Sequence, residues 1–131
     1  MKFLFICNGN RCRSVMAEYL LRHLAKGLPV EAKSAGTATI PSFGAEPLAQ
    51  RVLMDLGIDA SGHQTKQVTG ELVEWADYVL TATSGHRDIL REWFPDQAHK
   101  IFSLPEFVEE GGTIPDPRED TPEAFRQIRD L

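Results

Sequence analysis

Phe3-Leu4-Phe5-Ile6, then Cys7-Asn8-Gly9-Asn10-Arg11-Cys12-Arg13-Ser14, then Val15-Met16-Ala17-Glu18 is the stretch on which the fold turns. The four apolar residues read as a buried strand, and the residues from Ser14 onward as a helix. A short loop containing glycine, set between a strand and a helix N-terminus, lets backbone N–H groups converge on one point. The helix dipole adds positive potential there. An anion with three oxygens fits such a cradle. Arg13 supplies a planar fork matched to two of those oxygens, which a lysine does not reproduce. Cys7 places a sulfur nucleophile at the same point, and the positive field favours its thiolate. Ser14 can cap the helix, and its hydroxyl can also donate to the Cys7 sulfur, making it a better leaving group. The candidate anion-binding set is therefore Asn8, Gly9, Asn10, Arg11, Cys12, Arg13 and Ser14. The Gly-Lys-Ser/Thr ending of ATP-type loops is absent. The plainer alternative, a cysteine used as apolar filler with an arginine nearby by chance, ignores the strand, glycine and helix around it.

Working outward, strand and helix signals alternate. Residues 2–6 predict a strand, and 14–26 a helix with Met16, Leu20 and Leu24 spaced along one face, closed by Gly27 and Pro29. Val30 to Ser34 reads as a second strand, 37–45 as a loop, and Glu46 to Leu56 as a helix closed by Gly57. Thr69 can cap a short helix containing Leu72 and Val73. Tyr78 to Thr81 reads as a third strand, Ser84 as the cap of a helix through Trp93, and Lys100 to Ser103 as a fourth strand. A last helix starts at 122–131. The expected fold is α/β: one domain over 1–131, a four-stranded parallel sheet with helices on both faces, and the phosphate-type loop after strand 1. Ligands then bind beyond the C-terminal strand ends, where residues 7–13 fall.

Composition narrows the partners. A chain of 131 residues, 42% apolar, is long enough for a real core, and its net charge of −5 argues against a general nucleic-acid binder. No apolar run approaches the roughly 20 residues that span a bilayer, and no signal-peptide pattern opens the chain. Only two cysteines occur, both in the loop. No disulfide framework is expected, and a reducing cytoplasm is the natural setting. Scattered histidines and two cysteines lack the close ligand pairs of a structural metal site, so no metal and no cofactor is expected.

The Cys-x-Gly-Asn-x-Cys-Arg-Ser stretch at 7–14, followed by Met16-Ala17-Glu18, resembles the low-molecular-weight protein tyrosine phosphatases. That family includes bacterial protein arginine phosphatases and has arsenate reductases as relatives. Ser34-Ala35-Gly36, Gly57-Ile58-Asp59, His63 before Gln67-Val68-Thr69, Asp77-Tyr78-Val79-Leu80 and Asp116-Pro117 fall in family order, so the likeness covers nearly the whole chain. It implies hydrolysis of phosphotyrosine, or a related phospho-residue in a protein, through a phosphocysteine on Cys7. Arg13 would bind the phosphoryl oxygens, and Asp116 would protonate the leaving group and then activate water. Pro115 and Pro117 stiffen the backbone around Asp116, although the residues alone favour a turn acid beside Glu119 and Asp120. The resemblance also implies that Ser34 and His63 brace the loop through Asn10. Cys12 is either core filler or, by resemblance, the partner of Cys7 in a protective reversible disulfide. Inorganic phosphate or a similar oxyanion would act as product and inhibitor, and a monomer is expected.

Three departures bear on substrate. Arg11 stands where tyrosine-specific members carry an aliphatic residue and arginine-specific members a threonine. Arg118 replaces an aromatic after Asp116-Pro117, and Val15 replaces a proline. Two rim arginines would disfavour phosphoarginine, unless they point to solvent or pair with Glu119. Phe43 is the candidate wall for a phosphotyrosine ring, with Trp75 and Trp93 assigned to the core. His23 and His99 read as surface residues, and His86 carries no assigned role. The final helix is shorter than the family's, which implies lower stability or a face covered by a partner. Two readings from other classes remain: an arsenate reductase drawing on external thiols, and a phosphate-binding module without turnover.

Overall fold

The apolar run that opens the chain becomes the central strand of the sheet, β1 (Lys2–Cys7), in a computed structural model that describes residues 1–109. It is followed by α1 (Arg13–Leu24), β2 (Glu31–Gly36), α2 (Pro47–Asp55), α3 (Gly70–Trp75), β3 (Tyr78–Thr81) and α4 (Ser84–Trp93). A short 3₁₀ helix (Pro95–Lys100), β4 (Ile101–Ser103) and α5 (Leu104–Glu109) complete the described residues. All strand pairs are parallel and the order is β2-β1-β3-β4. The chain leaves β1 toward β2 on one side and later returns to place β3 on the other. That reversal of winding opens a crevice at the C-terminal end of β1, directly under residues 7–13.

Alternation along β1 explains why both faces carry helices. Phe3 and Phe5 pack with Met16, Leu20 and Leu21 of α1, Leu53 of α2 and Phe107 of α5. Leu4 and Ile6 point the other way, into a cluster with Val73 of α3 and Leu90 of α4. A strand buried on both faces reads as a continuous apolar run, as this one does. Each fully buried side chain of this size contributes about 1.5–3 kcal/mol, so register is strongly held where the loop at residues 8–12 departs.

Helix ends depart from expectation in instructive ways. Helix α1 stops at Leu24, which is exposed, and Gly27 adopts a φ of 87° just beyond. Helix α2 ends as expected at Gly57, whose φ of 79° closes a double hydrogen-bonded cap: Gly57 N–H to the Met54 carbonyl and Ile58 N–H to Leu53. Thr69 caps α3, accepting from Leu72 N–H. The cap of α4 is Thr83, whose hydroxyl accepts from His86 N–H, and Ser84 is already helical. Two adjacent hydroxyl residues made that choice ambiguous from sequence. Trp93 lies half-exposed at the end of α4 and is no core residue. Trp75 is partly buried against the second cluster, with the Lys33 ammonium 4.3 Å from its ring centroid. The 3₁₀ helix and α5, six residues each, were not expected from the sequence; Pro95 and Pro105 sit in their first turns, where proline is accepted. The helix placed at 122–131 lies outside the described residues.

Candidate active site

Cys7 ends β1 with its side chain buried, and its sulfur lies 2.9 Å from Ser14 Oγ. Helix α1 begins at Arg13 with Cys12 in the cap position and no side-chain cap. Its first backbone bond inside the helix is Met16 N–H to the Cys12 carbonyl. The N–H groups ahead of it are not consumed by the helix and border the loop, the arrangement that suits an oxyanion. Ser14 is thus not the cap that the sequence allowed. It sits one residue inside the helix and uses its hydroxyl toward Cys7.

Asn10 organises the loop from beneath. It is fully buried at φ 55°, a left-handed conformation that asparagine tolerates better than most residues. Its Nδ2 donates to Ser14 Oγ at 2.9 Å and to Ser34 Oγ at 2.8 Å, while its Oδ1 accepts from Lys66 N–H at 3.1 Å. Its carbonyl lies 2.9 Å from His63 Nε2. Burial holds the His63 imidazole below its ordinary 6.5, outweighing the opposing pull of that carbonyl. The ring is therefore neutral at pH 7, and its proton sits on Nε2, facing the acceptor. Tyr19 packs edge-on against the ring at 6.0 Å. Ser34 and His63 thus both contact Asn10.

A pocket of about 310 Å³ opens over the loop, lined by Cys7, Asn8, Gly9, Arg11, Cys12, Arg13, Glu46, Ala82 and His86. Arg11 does not project freely over it. Its Nε donates to the Gly44 carbonyl at 3.0 Å, its Nη1 lies 3.2 Å from Glu46 Oε1, and its guanidinium covers Phe43 at 5.7 Å from the ring centroid. The expected cationic rim is thus neutralised at Arg11 by Glu46, and the face of Phe43 meant for a phosphotyrosine ring is shared with Arg11. Asn8 is tied to the 37–45 segment through Thr37, whose hydroxyl donates to Asn8 Oδ1 at 3.3 Å. Cys12 is half-buried, and burial, then Cys7 and Glu46, push its thiol up, so it stays protonated at neutral pH. Both cysteines are free. Among the described residues no group of His, Cys, Asp and Glu is placed to hold a metal ion, and no helix is long and apolar enough to cross a membrane.

The fold therefore brings Cys7 through Ser14, Ser34 and His63 to one locus. Asp116, Arg118 and Glu119 lie outside the described residues. Sequence reasoning missed four residues of this locus. Glu18 accepts from Ser34; Gln67 bridges the 37–45 segment through Thr39 N–H at 2.9 Å and the Thr37 carbonyl at 2.7 Å. Glu46 and His86 line the pocket. A carboxylate on the apolar side of α1 was the one available signal, since Glu18 sits among Val15, Met16 and Ala17.

The structure thus sets a buried thiol at the end of β1, beside a loop that opens a helix, at the winding reversal of a parallel sheet. In comparison with known proteins, residues 2–131 match the low molecular weight phosphotyrosine protein phosphatase family, and the chain belongs to that family. It is a phosphatase. It is 43% identical to a protein-arginine-phosphatase of Geobacillus stearothermophilus, over 98% of this chain and 86% of the relative. It is 34% identical to a probable low molecular weight protein-tyrosine-phosphatase of Ralstonia nicotianae, over 98% and 86%. Among solved structures it is similar to the YwlE arginine phosphatase in a Cys-to-Ser mutant with a phosphorylated active-site serine. The TM-score there is 0.82, with 35% identity over 99% of this chain and 87% of that one.

Proposed function

We propose that this chain takes the phosphoryl group of a phosphorylated protein onto Cys7 and releases it as inorganic phosphate, with phosphotyrosine as the first candidate substrate. The Cys7 thiolate attacks phosphorus, the bond from phosphorus to the leaving atom breaks, and Asp116 donates the proton that atom needs. Water then attacks the phosphocysteine while Asp116 takes a proton from it, and the S–P bond breaks to regenerate the thiolate. Arg13 and the loop amides of residues 8–13 hold the equatorial oxygens, where developing charge is greatest. Neither a metal nor a cofactor takes part in this scheme. The observation that carries the reading is the Ser14 hydroxyl 2.9 Å from the Cys7 sulfur, a group able to donate to the atom that must leave in the second step.

One observation favours phosphoarginine as a second reading. With Arg11 paired to Glu46 and laid over Phe43, the repulsion that its charge would exert on a cationic guanidinium is largely cancelled. Two cysteines, both in the loop, fit a reducing cytoplasm.

Phosphate release from matched phosphotyrosine and phosphoarginine peptides, with Cys7→Ser as control, tests the reading. Faster Cys7-dependent release from phosphotyrosine supports the first substrate, and the reverse supports the second. Release by neither, with thiol-dependent production of arsenite from arsenate, makes the chain a reductase. Tight phosphopeptide binding with no turnover makes it a binding module.

A further inference from the structure

Glu18 is a buried carboxylate, its side chain only 4% exposed, one turn into α1 and outside the pocket. Its two oxygens face different donors. Oε1 accepts the Ser34 hydroxyl, and Oε2 accepts Arg22 Nη2 at 2.6 Å. Counting hydrogens from this end fixes the direction of every bond as far as Ser14 Oγ. Ser34 gives its only proton to Glu18, so it must offer a lone pair to Asn10, which matches the Asn10 Nδ2 donor at 2.8 Å. Asn10 gives its second Nδ2 hydrogen to Ser14 Oγ. Ser14, an acceptor from Asn10, still has its own proton, which a Cys7 thiolate can only accept.

We infer that Glu18 is a positioning residue for the phosphatase reaction: through Ser34 and Asn10 it holds the Ser14 hydroxyl as a donor to the Cys7 sulfur. The inference rests on the phosphocysteine route proposed above. A carboxylate is required because both partners donate. A glutamine at 18 has one acceptor oxygen for two donors. If that oxygen faces Arg22, its NH₂ turns toward Ser34. The Ser34 proton is then driven toward Asn10 Nδ2, where two donors meet. The conflict loosens the Asn10 amide and, with it, the Ser14 hydroxyl. The Ser14 proton matters most when sulfur leaves phosphorus, so the second step should suffer more than the first.

The test is rapid-quench kinetics on whichever of the phosphotyrosine and phosphoarginine peptides the wild type turns over, following phosphoenzyme and released phosphate in the full chain, for wild type, Glu18→Gln, Ser34→Ala and the double variant. Glu18→Gln is expected to slow phosphoenzyme breakdown about tenfold, the order of one hydrogen bond to a charged group, while formation changes much less. Phosphoenzyme should accumulate accordingly. Ser34→Ala removes a single buried oxygen, so it gives the same reading if Glu18→Gln folds poorly. The double variant should be no slower than the worse single one, because both act through one chain of bonds. Equal slowing of both steps, unchanged breakdown, or effects that multiply in the double variant would overturn the inference. The wild type supplies the separate control: absence of any phosphoenzyme on Cys7 would overturn the phosphocysteine route itself, and with it this inference.

Discussion

At the scale of single residues, the loop is held by contacts that no other side chain can make. Gly36 ends β2 against the loop, and a Cβ built there would stand 2.5 Å from the Asn8 carbonyl oxygen and 3.0 Å from the Asn10 amide nitrogen. Those neighbours are backbone atoms of the cradle and cannot swing aside. Gly36→Ala should therefore weaken phosphate inhibition and cut turnover by more than tenfold, on the scale of a lost oxyanion donor. Product-inhibition constants check this, and an unchanged constant would show that the loop yields without loss. Much of this scale was legible in advance. Residue type and spacing pointed to Cys7, Arg13, Asn10 and Ser14, because only a sulfur, a planar fork and short polar side chains suit that cradle. The contacts of Glu18, Gln67 and Glu46 were not legible. Each depends on which segments the fold brings beside the loop, and local sequence carries no such distance.

At the scale of elements, hydrophobic period and end signals gave β1, β3, α2 and α3 nearly as they stand. The misreadings came where two signals compete. Thr83 and Ser84 both offer a hydroxyl before α4, and Thr83 wins because it stays extended at φ −134° and reaches His86 N–H. Thr83→Ala should cost about 1 kcal/mol of stability while Ser84→Ala should cost little. Urea midpoints of the two variants measure this, and equal effects would contradict the cap assignment. Ser14 was misread as a cap for a related reason: a serine at a helix start ordinarily serves backbone N–H groups. Here the hydroxyl lies against the sulfur instead. The 3₁₀ helix and α5 were not expected because six residues are too few to show a helical period.

At the scale of the whole molecule, parallel winding puts the crevice at the end of β1 and leaves two neutral histidines around it. Burial holds both His63 and His86 below the ordinary 6.5, and for His86 the nearby Arg13 adds to the effect. Protonation is harder in the folded chain than in the unfolded one. The stability from both groups is therefore present above about pH 6.5 and is lost as pH falls toward their folded values. Urea midpoints taken between about pH 7.5 and 5.5 should decline, and His63→Gln should show a shallower decline. A midpoint that rises on acidification would contradict the burial of these rings. The architecture was foreseeable because alternating β and α units allow few arrangements, and a strand that is apolar on both faces belongs in the middle. The orientation of Arg11 was not foreseeable: nothing in sequence told Glu46 from Glu119 as its partner.

Everything functional here depends on Cys7 carrying the phosphoryl group. The most direct measurement is acid quench of the full chain during turnover of a phosphotyrosine or phosphoarginine peptide, then mass spectrometry of the segment holding residues 7–13. The result predicted is a phosphoryl group on the Cys7 sulfur that forms and decays with turnover, with no sustained phosphate release from the Cys7→Ser variant. Phosphate release at full rate with no phosphoryl group on Cys7, or with Cys7→Ser still active, would contradict it.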